Sequence, residues 1–548
     1  MGRAGRSSAR SRVAWRYRAR YRLPKRGTLF QIRFRISRRK CEMKPEATAS
    51  ETLPLIGPDI LQPDGLARFR RSGELPVKVL QFGEGNFLRG FADWMLETCN
   101  RKQLFNGAVA VTQPRPSGKT KLDQLKAQNG IYTLLVRGLR EGQRLEEKET
   151  VTVLSRMIDP YGEWESFLEL AEGPELEFVI SNTTEAGIAY RHSEWNPREP
   201  VSSFPGKLTA FLYRRFERFS GDPGKGLIHL PCELIEQNGD RLLETVLRHA
   251  DDWRLPDAFK SWVRESNRFL NTLVDRIVTG FPAEEAEGLF SEWGYADPLL
   301  VTSEPYYLWA IQAGRELEER LPLETAGLNV RWVDDLTPFR MRKVRILNGT
   351  HTLMATIGLM NGLREVREAL EHPAWGPKFI QGLFDEILPG IPLDRGELLA
   401  YANETLERFR NPYIRHRLAD IAMNGIAKWK VRLLPSVKAY IGATGKTPPI
   451  LAESLASMIR LCLPEPHSES DDNQSQKGTP LQTRDDPLLL DLIRKTWQSP
   501  TTGDGDGAKD SARRILALTE LWGEDLTELP GLADKVSGHF AKWEKSSR

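Results

Sequence analysis

Residues 77–96 read VKVLQFGEGNFLRGFADWML. A short apolar run passes without a spacer into Gly83 and Gly85, in G-x-G spacing, and then into helical periodicity from Phe87 to Cys99. This succession decides the fold class. A strand, a glycine turn and a helix N-terminus together let backbone N–H groups approach a pyrophosphate, and glycine permits the tight turn. Leu88 stands where a dinucleotide fingerprint has its third glycine. The loop residues Gly83, Glu84, Gly85, Asn86, Phe87, Leu88 and Arg89 are the candidates for holding a dinucleotide.

Outward from this loop the pattern predicts an α/β fold, a Rossmann-type doubly wound and mainly parallel sheet. Strands are expected at Val77 to Phe82, Ala108 to Thr112, Tyr132 to Val136, Val151 to Leu154, Leu176 to Ser181 and Gly226 to Leu230. Helical periodicity lies between them at Trp164 to Ala171 and Leu208 to Phe219. The second strand should end in an acid that grips the adenosine ribose, but it runs into Thr112, Gln113 and Pro114. Gln113 can bond ribose hydroxyls, whereas Arg115 or Lys119 would meet a 2′-phosphate, so these residues leave NAD and NADP both open. Later strands also end in polar clusters, Asn182-Thr183-Thr184-Glu185 after one and Glu233 and Asn238 after another. In an open parallel sheet such ends line the ligand crevice.

Beyond about residue 297 strand signals fade. Helices are predicted at Pro305 to Leu321, Lys343 to Met360, Glu397 to Arg408 and Arg415 to Leu433, with a last helical block from Leu488 to Trp543. This divides the chain into a basic, disordered extension (1–64), a dinucleotide-binding domain (65–296) and a mostly helical substrate domain (297–548). The Ser-, Asp- and Gln-rich stretch 464–487 reads as a mobile insertion in the last of these.

Charge is distributed unevenly. Residues 1–42 hold 15 of the 78 bases and one of the 74 acids, so residues 43–548 carry a net −10 although the whole chain is +4. The Arg-rich arm suits RNA binding or a transit peptide, and lacks the apolar core of a secretory signal. The abrupt change at Met43 also fits translation starting there. No stretch reaches the roughly 18–20 apolar residues of a membrane span. Cys41, Cys99, Cys232 and Cys462 are scattered without a CxxC pair, which points away from a disulfide framework or cysteine zinc site and toward a reducing cytoplasm.

The segment MRKVRILNGTHTLMATIGLM places Lys343, Asn348 and His351 within nine residues. On an α-helix they fall within an arc of roughly 140° and can face one cleft. The set suits alcohol–ketone interconversion without a metal. A lysine of lowered pKa takes the hydroxyl proton, an amide polarises the developing oxyanion and an imidazole orients a neighbouring hydroxyl.

Lys343-Val-Arg-Ile-Leu-Asn348-Gly-Thr-His351 matches the K-x4-N-x2-H signature of the mannitol dehydrogenase family of polyol-specific long-chain dehydrogenases, which the chain resembles from about Val77 to its end. Within that family LQFGEGNFLRGF, SNTTEAGI, PCELIEQNGD, KVRILNGTH and WGEDLTELPGL are similar to the members that act on altronate and tagaturonate. Mannitol and fructuronate enzymes carry T-E-K-G-Y and C-D-N types of segment where this chain has Thr184-Glu185-Ala186-Gly187-Ile188 and Cys232-Glu233-Leu234.

The resemblance implies a Rossmann domain followed by a helical domain, NAD as cofactor, no metal, and metal-independent hydride transfer between D-altronate and D-tagaturonate. It implies Lys343 as general acid/base, Asn348 and Asn238 as holders of the reacting oxygen and His351 as a positioning residue. From their places at strand ends, Asn182 and Thr183 join the loop and Gln113 as candidates at the cofactor. A hexuronate carboxylate needs a cation, for which Arg345, Arg415 and Arg417 are candidates by composition. The expected partner is this small hexuronate or aldonate, with no nucleic acid and no membrane. The alternatives are a fructuronate reductase or mannitol 2-dehydrogenase of the same family, and, in another class, a nucleic-acid-binding protein using the basic arm.

Overall fold

The computed structural model describes residues 53–184, 186–463, 484–498 and 507–546. The basic arm, Glu185 and residues 464–483 of the expected insertion lie outside the described residues. A six-stranded sheet runs in the order β5 (Leu154–Ile158), β2 (Ala108–Thr112), β1 (Val77–Phe82), β6 (Phe178–Ser181), β7 (Ile228–Pro231), β8 (Arg268–Phe269). All its pairings are parallel. Counting only these strands, the order is 3-2-1-4-5-6, that of the doubly wound dinucleotide folds, and the strand order reverses between β1 and β6. Phe82 lies level with Thr112 on one side and Ser181 on the other. The carboxyl ends of three strands therefore open into one crevice.

The pleat sorts the side chains. Val79, Val109 and Ile180 enter the core on one face, and Leu80, Ala110 and Val179 the core on the other. Because both faces are covered, the strands read as continuous apolar runs.

A second sheet has the order β10 (Val278–Gly280), β11 (Val301–Ser303), β3 (Tyr132–Arg140), β4 (Gln143–Val151), and a third the order β13 (Val330–Val333), β12 (Leu308–Gln312), β9 (Thr272–Asp275). These revise several expectations. Tyr132 to Val136 is no part of the parallel sheet. It begins a hairpin closed by Glu141 (φ 54) and Gly142 (φ 74), the paired left-handed residues that a two-residue turn between twisted strands needs. Val151 to Leu154 spans the break between β4 and β5. Pro305 to Leu321 is β12 followed by a 3-10 turn, Arg315–Glu319, rather than a helix. Leu308 to Ile311 are all buried, and a run with no polar face carries no period to distinguish strand from helix. Residues 53–64 also belong to the fold: Leu55 bridges to Ala296, Ile56 is buried and the helix Pro63–Glu74 begins there.

After Val333 the described chain is helical as far as the helix Leu532–Ser546. Its centre is the helix Gly349–Met360, buried on all sides from Gly349 to Gly358, as a core helix must be. It packs against the helices Leu418–Ala422 and Pro449–Cys462. The expected helix Arg415 to Leu433 is interrupted by Asn424 (φ 52), which separates Leu418–Ala422 from Gly425–Arg432. Among the described residues no helix is long and apolar enough to cross a membrane.

Candidate active site

At the crevice, Gly83 has φ +130, and a Cβ there would lie 2.8 Å from the Asn182 carbonyl oxygen. Only glycine lets the β1 turn pass this close to the end of β6. Gly85 has open space where its Cβ would be. Glu84 Oε2 and Gln113 Oε1, at the ends of β1 and β2, are buried with no hydrogen-bond partner among the described residues. A buried acceptor in that state is costly unless a ligand donates to it. The tight turn, the open face at Gly85 and the two waiting acceptors fit a dinucleotide.

Other loop residues are used differently from the expectation. The Leu88 side chain lies in the core, and Arg89 is buried with its guanidinium donating to the Glu84 carbonyl (3.2 Å), Asn86 Oδ1 (2.7 Å) and the Leu299 carbonyl. These two side chains brace the loop from beneath. Phe87 stacks on Phe91 with ring centroids 4.9 Å apart. Gln113 Nε2 is committed to Asp159 Oδ1 at 3.0 Å, Lys119 pairs with Asp123, and Arg115 is exposed.

Asn182 and Thr183 are brought to the crevice by Glu233. Its carboxylate accepts from Ser181 Oγ (3.0 Å), Thr183 N (2.9 Å) and Thr183 Oγ1 (3.0 Å), while Asn182 Nδ2 donates to the Cys232 carbonyl (2.7 Å). The ends of β6 and β7 are thereby tied together. Asn238 does not serve as expected. Nδ2 donates to the carbonyls of Pro231, Glu233 and Thr272, and Oδ1 accepts from the backbone N–H groups of Gly239 and Thr272. With its amide spent on the backbone, it is a buried anchor rather than a holder of substrate oxygen.

Lys343, Asn348 and His351 do share one cavity, of about 310 Å³. Residues Lys343–Asn348 form a π-helical turn ahead of the α-helix Gly349–Met360. An i→i+5 turn advances roughly 80° per residue against about 100° in an α-helix, so it swings Asn348 from about 140° to about 40° from Lys343. Lys343 Nζ donates to the Val274 carbonyl at 2.7 Å. Burial pushes its pKa down, and nearby Arg408 and Arg432 do the same against the opposing pull of Asp275 and Glu304. Burial likewise pushes His351 far down, with help from His416. This favours the neutral imidazole; its Nε2 has no partner among the described residues, and its ring lies 4.3 Å from Phe409 and 4.6 Å from His416.

Behind the lysine lies a charge network with no local signature in the sequence. Arg408 donates to Asp275 Oδ1 (2.9 Å) and to Glu304 Oε1 and Oε2 (2.8 and 3.0 Å), and Tyr401 OH donates to Asp275 Oδ2 (2.8 Å). Burial opposes ionisation of Asp275, but Arg408 and Lys343 outweigh it and hold the carboxyl low. Next in the chain, Arg276 donates to the Gly90 carbonyl (2.7 Å) and the Glu304 carbonyl (3.1 Å). It links the helix after the glycine loop to the wall of the lysine cavity.

None of the three cations suggested for a substrate carboxylate lines this cavity. Arg345 is buried with Nε on Ser436 Oγ, Arg415 forms an exposed pair with Glu284, and Arg417 is exposed in a bridge to Glu365. The cations on the wall are Arg276, Lys343, Arg408, Lys428 and Arg432. Lys428 and Arg432 have the i, i+4 spacing of neighbours on one helical face. No acid occurs from Ile421 to Ala452, and that was the available signal.

The family model for the mannitol dehydrogenase Rossmann domain matches residues 77–325, and that for the mannitol dehydrogenase C-terminal domain matches residues 335–543. The altronate oxidoreductase of Bacillus subtilis (strain 168) is 44% identical over 465 residues, 85% of this chain and 92% of that protein. The altronate oxidoreductase of Yersinia enterocolitica is 41% identical over 463 residues, 84% and 93% of the two chains. Among solved structures, a D-sorbitol dehydrogenase in substrate-free form has a TM-score of 0.67 at 22% identity, over 85% of this chain and 93% of that one. The Pseudomonas fluorescens mannitol 2-dehydrogenase ternary complex with NAD and D-mannitol has a TM-score of 0.62 at 19% identity, over 87% and 93%. These structural likenesses establish the shared fold.

Proposed function

The chain belongs to the mannitol dehydrogenase family, and within it we propose that this protein is a cytoplasmic enzyme that interconverts D-altronate and D-tagaturonate with NAD as cofactor. The observation that carries the substrate is the 44% identity to an altronate oxidoreductase across 92% of that relative. The cavity around Lys343 supports the chemistry.

Gly83, Glu84, Gly85, Asn86, Asn182 and Thr183 would hold NADH through backbone and short polar groups where β1 and β6 diverge, and the cofactor would supply the hydride for the substrate carbonyl carbon. As negative charge grows on the carbonyl oxygen, the Lys343 ammonium donates a proton to it, giving the alcohol. The lowered pKa favours that transfer, because the ammonium gives up its proton more readily than an ordinary lysine. An amide N–H of Asn348 donates a hydrogen bond to the same oxygen and opposes its charge. His351, neutral at physiological pH, accepts a hydrogen bond from a neighbouring substrate hydroxyl. In oxidation of altronate the sequence reverses, and the neutral Lys343 amine takes the hydroxyl proton.

The test is a panel of D-tagaturonate, D-fructuronate and D-fructose, each run with NADH and with NADPH. Tagaturonate with NADH is expected to give the highest kcat/KM. Preference for fructuronate or fructose overturns the substrate, and preference for NADPH overturns the cofactor.

A further inference from the structure

We propose that Lys428 and Arg432, one turn apart on the helix Gly425–Arg432, receive the terminal carboxylate of the substrate and set the preference for a hexuronate over its neutral ketose. This rests on the proposed hexuronate reaction and adds the residues that recognise the acid.

The other cations on the cavity wall are already engaged. Arg408 is fully occupied by Asp275 and Glu304. Arg276 is spent on two backbone carbonyls and stacks on Trp94, its guanidinium carbon 4.4 Å from the ring centroid. Lys343 is the proton carrier. Among the described residues, Lys428 and Arg432 have no carboxylate within ion-pair distance: Lys428 donates to the Ile421 carbonyl at 3.0 Å, and Arg432 Nη1 to Thr352 Oγ1 at 3.2 Å. Both are half-buried.

Two unneutralised cations at i, i+4 repel each other, and Arg432 indeed helps to push the Lys428 pKa down, second to burial. Asp485, at the start of this helix, pulls the Lys428 pKa the other way, but its carboxylate accepts from the Ile426 backbone N–H at 2.9 Å. Asp420, on the wall, is exposed and acts on His416 together with Lys428, and among the described residues neither acid lies within ion-pair distance of the two cations. Neutralisation is thus left to an anionic ligand. The helix is rigid enough to present the pair: Trp429, between them, is fully buried and bonds Ser454 Oγ at 3.1 Å. Arg432 reaches the helix carrying His351 at the next residue, Thr352. A six-carbon acid held here by its carboxylate can therefore lay its carbonyl toward Lys343. A guanidinium fork and an ammonium match the two oxygens of a carboxylate, while a hydroxymethyl group would leave both cations unpaired.

The experiment compares anionic and neutral partners of one skeleton in wild type, Arg432→Gln, Arg432→Lys and Lys428→Gln. The pairs are tagaturonate against D-tagatose and fructuronate against D-fructose. Inhibition constants of altronate against its polyol, D-altritol, give the same ratio without turnover of the neutral partner. In Arg432→Gln the anion-to-neutral ratio of kcat/KM should fall about 10- to 100-fold, chiefly through KM, as for loss of a charge-assisted bond. Arg432→Lys should recover part of it, and Lys428→Gln should show a smaller loss. Equal losses on both members of each pair, or an unchanged ratio, overturn the proposal. A wild type that favours fructuronate over tagaturonate overturns the altronate reading alone, because the ratio within each pair still reports on the two cations.

Discussion

Lys343 Nζ donates a 2.7 Å hydrogen bond to the carbonyl oxygen of Val274, the residue immediately before Asp275. The ammonium is thus held at the end of β9, beside a carboxylate whose charge is already engaged by Arg408. Asp275 steadies the protonated lysine without taking its proton, while burial keeps that proton labile.

This arrangement predicts opposite pH dependences for the two directions. Ketone reduction needs the ammonium, so its kcat/KM should fall as pH rises through the lowered lysine pKa. Alcohol oxidation needs the free amine and should rise over the same window. Removing the positive neighbour in Arg432→Gln should move both limbs to higher pH. Initial rates in both directions across a pH series check this, and parallel pH profiles for the two directions would contradict it.

Arg408 joins two buried carboxylates, so Arg408→Met leaves Asp275 and Glu304 without the cation they share. Breaking a buried ion pair from one side costs about 3–5 kcal/mol. The variant should melt well below wild type and lose turnover as Lys343 loses its frame. A melting temperature equal to wild type would show that the network adds little.

The glycine loop allows a paired test. Gly83→Ala forces a Cβ to within 2.8 Å of the Asn182 carbonyl at φ +130, a backbone strain of about 1–3 kcal/mol. It should lower both thermal stability and NADH affinity. Gly85→Ala meets nothing within 4 Å, so it should melt like wild type yet bind NADH more weakly, because the added methyl enters the space for the pyrophosphate. Fluorescence titration of NADH with thermal melting on both variants separates the two effects. Unchanged NADH affinity in both would contradict the cofactor site.

The sequence carried the parts of this account that are local. The turn after β1 and the Lys343–Asn348–His351 spacing are each written in one short segment, and the strand-end residues Asn182 and Thr183 follow from the sheet rule. What it hid is assembled from distance. Asp275, Glu304 and Arg408 come from three separate elements, so no spacing relates them. β12 reads as helical because its first four residues are all apolar. The π-turn at Lys343–Asn348 was invisible to an α-helical period, although it is what swings Asn348 toward the lysine. Asn238 looked functional by residue type at a strand end, and only its five backbone contacts reveal an anchor. Lys428 and Arg432 were legible as an acid-free i, i+4 pair, but only the cavity says which way they face.

The most direct test of the central claim, that Lys343 protonates a tagaturonate carbonyl during NADH-dependent reduction, is a single-turnover comparison of wild type and Lys343→Ala preloaded with NADH. Wild type should consume one NADH per tagaturonate reduced. The variant should bind NADH equally well and turn over about 10² or more times slower, as expected for loss of a general acid. A variant as fast as wild type, or a wild-type enzyme that leaves NADH unconsumed with tagaturonate, would contradict the account.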